Sequence, residues 1–141
     1  MAHAMRRAAV LGAAILAMST GALGQAPPVC GADLKGAARA ETARYTVVYR
    51  TKPARIEVSK HFSLEFAVCA RAGAPAPDAV RVDARMPEHG HGMNYKAAVK
   101  PLGGGRFQAD GLMFHMPGRW ELVFDVRSGE TSERVLGNFT L

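Results

Sequence analysis

A chain of 141 residues with 48% hydrophobic residues, 21% charged residues and a formal net charge of +6 has room for one domain. Lysine and arginine are scattered, without a dense cluster or interleaved aromatics, so composition gives no support to a nucleic-acid partner. Arg6 and Arg7 lie in the N-terminal stretch, and without them the same count falls to about +4.

Arg6-Arg7 precede an apolar run from Ala8 to Met18 that ends in small residues. A charged start, a short greasy centre and a small-residue exit are the parts of a secretory signal peptide, and the run is too short for a membrane span. Residues 1–24 are therefore read as a cleavable signal peptide, with Gln25 opening a mature chain that has no membrane span. Export implies a periplasmic protein and further weakens a nucleic-acid role. Residues 25–41, rich in Ala, Gly and Pro, read as an irregular arm, and residues 42–141 as the domain.

Two cysteines, Cys30 and Cys69, remain in a chain assigned to an oxidising compartment, where a disulfide is the default. It would close a long loop and stabilise the fold by about 2–4 kcal/mol. The competing reading makes Cys69 a copper thiolate beside two imidazoles and a weak thioether, which leaves Cys30 unpaired. Covalent haem attachment is excluded, because no Cys-x-x-Cys-His is present.

The body of the chain alternates with period two. Tyr45, Val47 and Tyr49 mark a strand over Thr42–Arg50, and Phe62, Leu64, Phe66 and Val68 mark the clearest half-buried strand. A strand over Ala79–Met86 leads into a His/Met loop, and Asn94–Lys100 leaves it. Gly103-Gly104-Gly105 turns the chain into Arg106–Met116, Pro117-Gly118 bridges to Arg119–Arg127, and Arg134–Leu141 closes it. About seven short strands with Gly/Pro turns, and no amphipathic helix after the leader, predict an all-β, immunoglobulin-like two-sheet β-sandwich. Its core would set the Phe62 row against Leu112, Phe114 and Met116 and against Trp120, Leu122, Phe124 and Val126. The ring nitrogen of Trp120, the only tryptophan, would need a hydrogen-bond partner.

The chemistry is concentrated in Met86-Pro87-Glu88-His89-Gly90-His91-Gly92-Met93. If the backbone runs extended from His89, then His89, His91 and Met93 share a face, and Met86 joins them only if Pro87 bends the chain. Imidazole and thioether donors together suit copper, with thioether favouring the cuprous state. Strand alternation places His115 with Gly111 and Met113, opposite the core row, and so free to supply a third imidazole. Met116 reads as core, Met113 as a minor extra donor and His61 as a solvated surface residue. The bland reading of the loop is a tight turn with solvated histidines.

An enzyme is not expected. Glu88 beside His89 is a lone carboxylate in a Gly-rich loop, no serine stands in a nucleophile elbow, and the disulfide would leave no thiol free.

With these residues in hand, the chain resembles the YtkA-like and FixH-like group of small exported β-sandwich proteins. The resemblance rests on Asp83 through Met93, then on Phe107, Gly111, Leu112 and the run Phe114 through Leu122, with the N-terminal half matching only in pattern. It implies an immunoglobulin-like fold and an association with copper handling or oxidase assembly. Partners would then be an envelope metalloprotein or a membrane component. The function expected is that of a copper carrier or metallochaperone using His89, His91, Met93, His115 and Met86; the alternative is a non-metal interaction or accessory module of an envelope complex.

Overall fold

The computed structural model describes residues 29–141, so the signal peptide expected over residues 1–24 and the first residues of the expected arm lie outside the described part. Nine strands form, in the order β1 (Ala38–Glu41), β2 (Tyr45–Lys52), β3 (His61–Ala70), β4 (Ala79–Met86), β5 (His91–Gly92), β6 (Ala98–Gly103), β7 (Arg106–Met113), β8 (Arg119–Ser128) and β9 (Thr131–Thr140). They make two antiparallel sheets, one ordered β1-β2-β3-β7-β6 and the other β5-β4-β8-β9, and no helix is present among the described residues. The expected two-sheet β-sandwich is therefore what the sequence builds, with nine strands among the described residues in place of about seven.

Alternation explains most of the core. Tyr45, Val47 and Tyr49 of β2 and Phe62, Leu64, Phe66 and Val68 of β3 face Val80, Val82 and Ala84 of β4 and Trp120, Leu122, Phe124 and Val126 of β8, all buried. The ring of Tyr49 reaches across to Phe124, with ring centres 5.3 Å apart, and a Cβ on Gly137 of β9 would lie 2.4 Å from the Tyr49 hydroxyl. A side chain at that position would hold the sheets apart.

On β7 the alternation changes parity. Phe107 and Ala109 point inward, and so do Leu112 and Phe114. The switch is a bulge: Phe62 pairs with Leu112 and Leu64 with Ala109, so Asp110 and Gly111 of β7 oppose the single residue Ser63 of β3. Gly111 carries the positive φ, +84°, that such a bulge favours. Asp110 fastens it by accepting hydrogen bonds from Gln108 Nε2 and Ser63 Oγ, each 2.7 Å, and these two donors hold its carboxyl below the usual range.

Most strand ends move by a few residues from the sequence expectation, and two departures are larger. Ala38–Glu41 is not irregular but pairs with β2 as an edge strand, from Ala38 opposite Tyr49 to Glu41 opposite Thr46. Its Ala-Arg-Ala-Glu composition has little strand preference of its own, and pairing with β2 supplies the order. The strand expected over Asn94–Lys100 begins only at Ala98, because the chain is still crossing between the sheets.

The Cys30–Cys69 disulfide forms, with Cα atoms 5.9 Å apart across 39 positions of sequence. It pins the N-terminal arm to the outer face of the five-stranded sheet, where Leu34, Val48 and Ala67 make a second small buried cluster. Replacing both cysteines by serine should lower the unfolding free energy by about 2–4 kcal/mol in a denaturant titration. A loss below about 0.5 kcal/mol would mean that the arm contributes nothing to the fold. Trp120→Ala, which empties a fully buried site, should cost about 3–5 kcal/mol in the same titration.

Candidate functional site

One end of the sandwich gathers the chain's donor side chains. Arg85, near the end of β4, pairs with Glu121 near the start of β8, and His61 at the start of β3 pairs with Met113 at the end of β7. Register therefore brings the β4–β6 crossing, the β7–β8 crossing and the β2–β3 connection together. His61, His89, His91, His115, Met86, Met93, Met113 and Met116 all lie on these segments. They are all the histidines and all the methionines among the described residues.

The β4–β5 hairpin is set by Pro87 and Gly90. Pro87 occupies the second position of a turn in which Met86 O accepts from His89 N at 3.2 Å, and Gly90, at φ +67°, donates to the same carbonyl at 3.0 Å. The chain then runs back, with His91 opposite Met86, and Met93 N donates to Ala84 O at 3.0 Å. The extended run expected from His89 is thus corrected to a turn, because the left-handed Gly90 breaks the alternation between His89 and His91. The two rings nevertheless remain close, with centres 5.7 Å apart. Glu88 is held by Arg119, 3.3 Å away, which ties the turn to the start of β8.

His115 joins them from the β7–β8 connection. Its ring centre stands 5.0 Å from that of His91 and 5.3 Å, edge to face, from Trp120. The indole is stacked on Phe114 at 4.4 Å and donates from Nε1 to Met116 O at 3.1 Å, the partner its burial requires. Ser59 N donates to Phe114 O at 2.8 Å, and Gly118 exchanges two backbone hydrogen bonds of 3.0 Å with Leu141. The connection carrying His115 is thus held from both sides.

The thioethers lie deeper than the imidazoles. His89 and His91 are exposed and His115 is half-buried, whereas Met86 is fully buried and Met93 and Met116 pack against the core. Met86 faces Gly118, where an added Cβ would come within 2.9 Å of the Met86 Cε. Met86 and His91 also line one cavity with Pro87, Gly90 and Gly92. His61 is exposed and sets its ring edge-on to Tyr95, 5.0 Å away. Sequence reasoning missed Tyr95 and the indole wall behind His115; the aromatic residues themselves were the available signal.

Two imidazoles that share one ion through nitrogens at about 2.0–2.1 Å hold their ring centres roughly 5–6 Å apart. The His89–His91 and His91–His115 spacings fall in that range. Among the described residues, however, no three His, Cys, Asp or Glu side chains already converge as a ready-made metal group. His115 Nδ1 is buried without a hydrogen-bond partner, an uncompensated nitrogen that fits a cation.

Fold and site together define a small two-sheet β-sandwich with a histidine- and methionine-bearing end. A family model described as YtkA-like matches residues 38–124, and the chain belongs to that family. The match includes β1 to β3, where the sequence resemblance held only in pattern. No curated protein matches the chain. A crystal structure of a DUF4426 family protein from Pseudomonas aeruginosa PAO1 is similar at 12% identity and a TM-score of 0.50, over 75% of this chain and 94% of that one. At that identity the likeness speaks for the fold alone.

Gly118→Ala tests the floor of the site. Gly118 sits at φ +130° and its added Cβ would press on Met86, so the variant should lose about 1–3 kcal/mol of stability by thermal or denaturant unfolding. An unchanged midpoint would place the Met86 methyl away from Gly118.

Proposed function

We propose that this chain is an exported, periplasmic copper-binding protein that acts as a carrier or metallochaperone, with copper as its cargo. The observation that carries the reading is the collection of every described histidine and methionine at one end of the sandwich, with three imidazole rings spaced 5.7 and 5.0 Å in sequence. Imidazole with thioether is a donor set that suits copper over calcium, magnesium or a thiolate-bound metal. The signal-peptide pattern at residues 1–24 and the Cys30–Cys69 disulfide both favour an oxidising, extracytoplasmic compartment.

His89 and His91 stand at the exposed rim, Met93 and His115 lie behind them, and Met86 contributes to the floor. A rim of exposed donors suits transfer by ligand exchange with an envelope metalloprotein. A catalytic role is disfavoured: Glu88, the carboxylate nearest the histidines in sequence, is engaged with Arg119, and both cysteines are consumed in the disulfide. The second reading, a non-metal interaction module of an envelope complex or membrane partner, draws on the lack of a preformed metal group among the described residues.

Purified protein incubated with excess copper and desalted should retain one ion per chain by elemental analysis. The amount retained should fall with acidification, since protons compete for imidazole. His89→Ala combined with His91→Ala should abolish tight binding with the β-type circular dichroism unchanged. Parental copper content in that double variant would leave the histidines incidental to a turn and make the interaction module the better account.

A further inference from the structure

We infer that His115, through Nδ1, is the anchoring donor of the copper site, and that His89 is its exchange ligand. This rests on the copper reading above but assigns roles that the row of histidines does not. The two ring nitrogens of His115 differ in their surroundings. A neutral imidazole carries a proton on one nitrogen and a lone pair on the other. In metal-ligating histidines the nitrogen away from the metal donates its proton to a carbonyl, carboxylate or water, which fixes the tautomer.

In His115 that arrangement fails for ligation through Nε2. It would put the proton on Nδ1, which is shut off from solvent and meets no acceptor. The carbonyl of the next residue, Met116, already accepts from the indole of Trp120. Ligation through Nδ1 reverses the assignment. The lone pair of the buried nitrogen then meets the cation, and the proton goes to Nε2, which is not among the buried unpartnered atoms. The buried nitrogen is then no longer without a partner.

The surroundings support the ranking of the three imidazoles. The His91–His115 pair is the closer one, 5.0 Å between ring centres against 5.7 Å for His89–His91. His115 is half-buried against Trp120 on a connection fastened by the Ser59–Phe114 and Gly118–Leu141 hydrogen bonds. His89 is exposed and lies in the four-residue loop between β4 and β5. A donor held by packing retains the ion, and a donor in a solvated turn releases it at little structural cost. An incoming partner would displace His89 first.

The test uses histidine-detected long-range proton–nitrogen NMR on the purified protein, with silver(I) as a closed-shell probe for cuprous copper. One equivalent of silver(I) should shift the His115 Nδ1 resonance away from its free value while Nε2 of the same ring takes the proton-bearing position. A metal-induced shift at His115 Nε2, or shifts at His89 and His91 with His115 unmoved, would overturn this assignment and leave the copper reading standing. No response from any histidine, to silver(I) or to cuprous copper, would overturn both. In competition with a chromogenic chelator, His115→Gln should weaken cuprous binding at least about tenfold. His89→Ala should instead leave the affinity within a few-fold and speed delivery to the chelator, because the position an incoming ligand takes is then already open. Equal affinity losses in the two variants would also contradict the assignment.

Discussion

Burying the indole of Trp120 at the end of the sandwich is the constraint on which this structure's chemistry depends. The ring is fully buried, so its N–H must find an acceptor inside the protein, and the acceptor is the Met116 carbonyl four residues earlier. Meeting that requirement folds residues 114–118 back over the start of β8, with Phe114 stacked beneath the indole. His115 lies between those two anchored residues. Its place beside Trp120 and His91 is therefore fixed by core packing as well as by its own contacts.

Much of this frame was legible in the sequence. The β4 strand runs from Ala79 to Met86 as alternation indicated, and the Phe62, Leu64, Phe66 and Val68 row is buried as expected. The Cys30–Cys69 pairing followed from cysteine count and compartment. What escaped reading depends on contacts distant in sequence. Ala38–Glu41 has no strand signature of its own and is ordered by pairing with β2. The parity switch at Gly111 could not be read from period two: alternation set Phe114 inward and His115 outward, as found, but gave no inward place to Phe107 and Ala109 on the other side of the bulge. An unbroken alternation from Phe107 would have exchanged Phe114 and His115.

The candidate site was half legible for the same reason. A row of His89, His91 and Met93 on one extended face was the wrong local geometry, since Pro87 and Gly90 form a turn. The grouping of His89, His91 and His115 nevertheless appears, because register brings two sheet-to-sheet crossings to one end. The crossings also sort the donors by depth. Imidazoles stand at the rim, and the thioethers of Met86, Met93 and Met116 lie on or within the core. For copper this order places the ligands that suit both oxidation states outside and those that favour the cuprous ion inside. A carrier that accepts an ion at its surface and holds it more tightly when reduced would have this arrangement.

Trp120 reports on that end directly, since it is the chain's only tryptophan and its ring centre lies 5.3 Å from that of His115 and 6.2 Å from that of His91. Fluorescence titration of the folded protein with cupric ion is the most direct test of a copper site there. Copper at this end should quench the Trp120 emission, with saturation at one equivalent and reversal by a chelator. Stoichiometric copper binding with the emission unchanged would contradict it, because an ion held among His89, His91 and His115 cannot leave the adjacent indole unaffected.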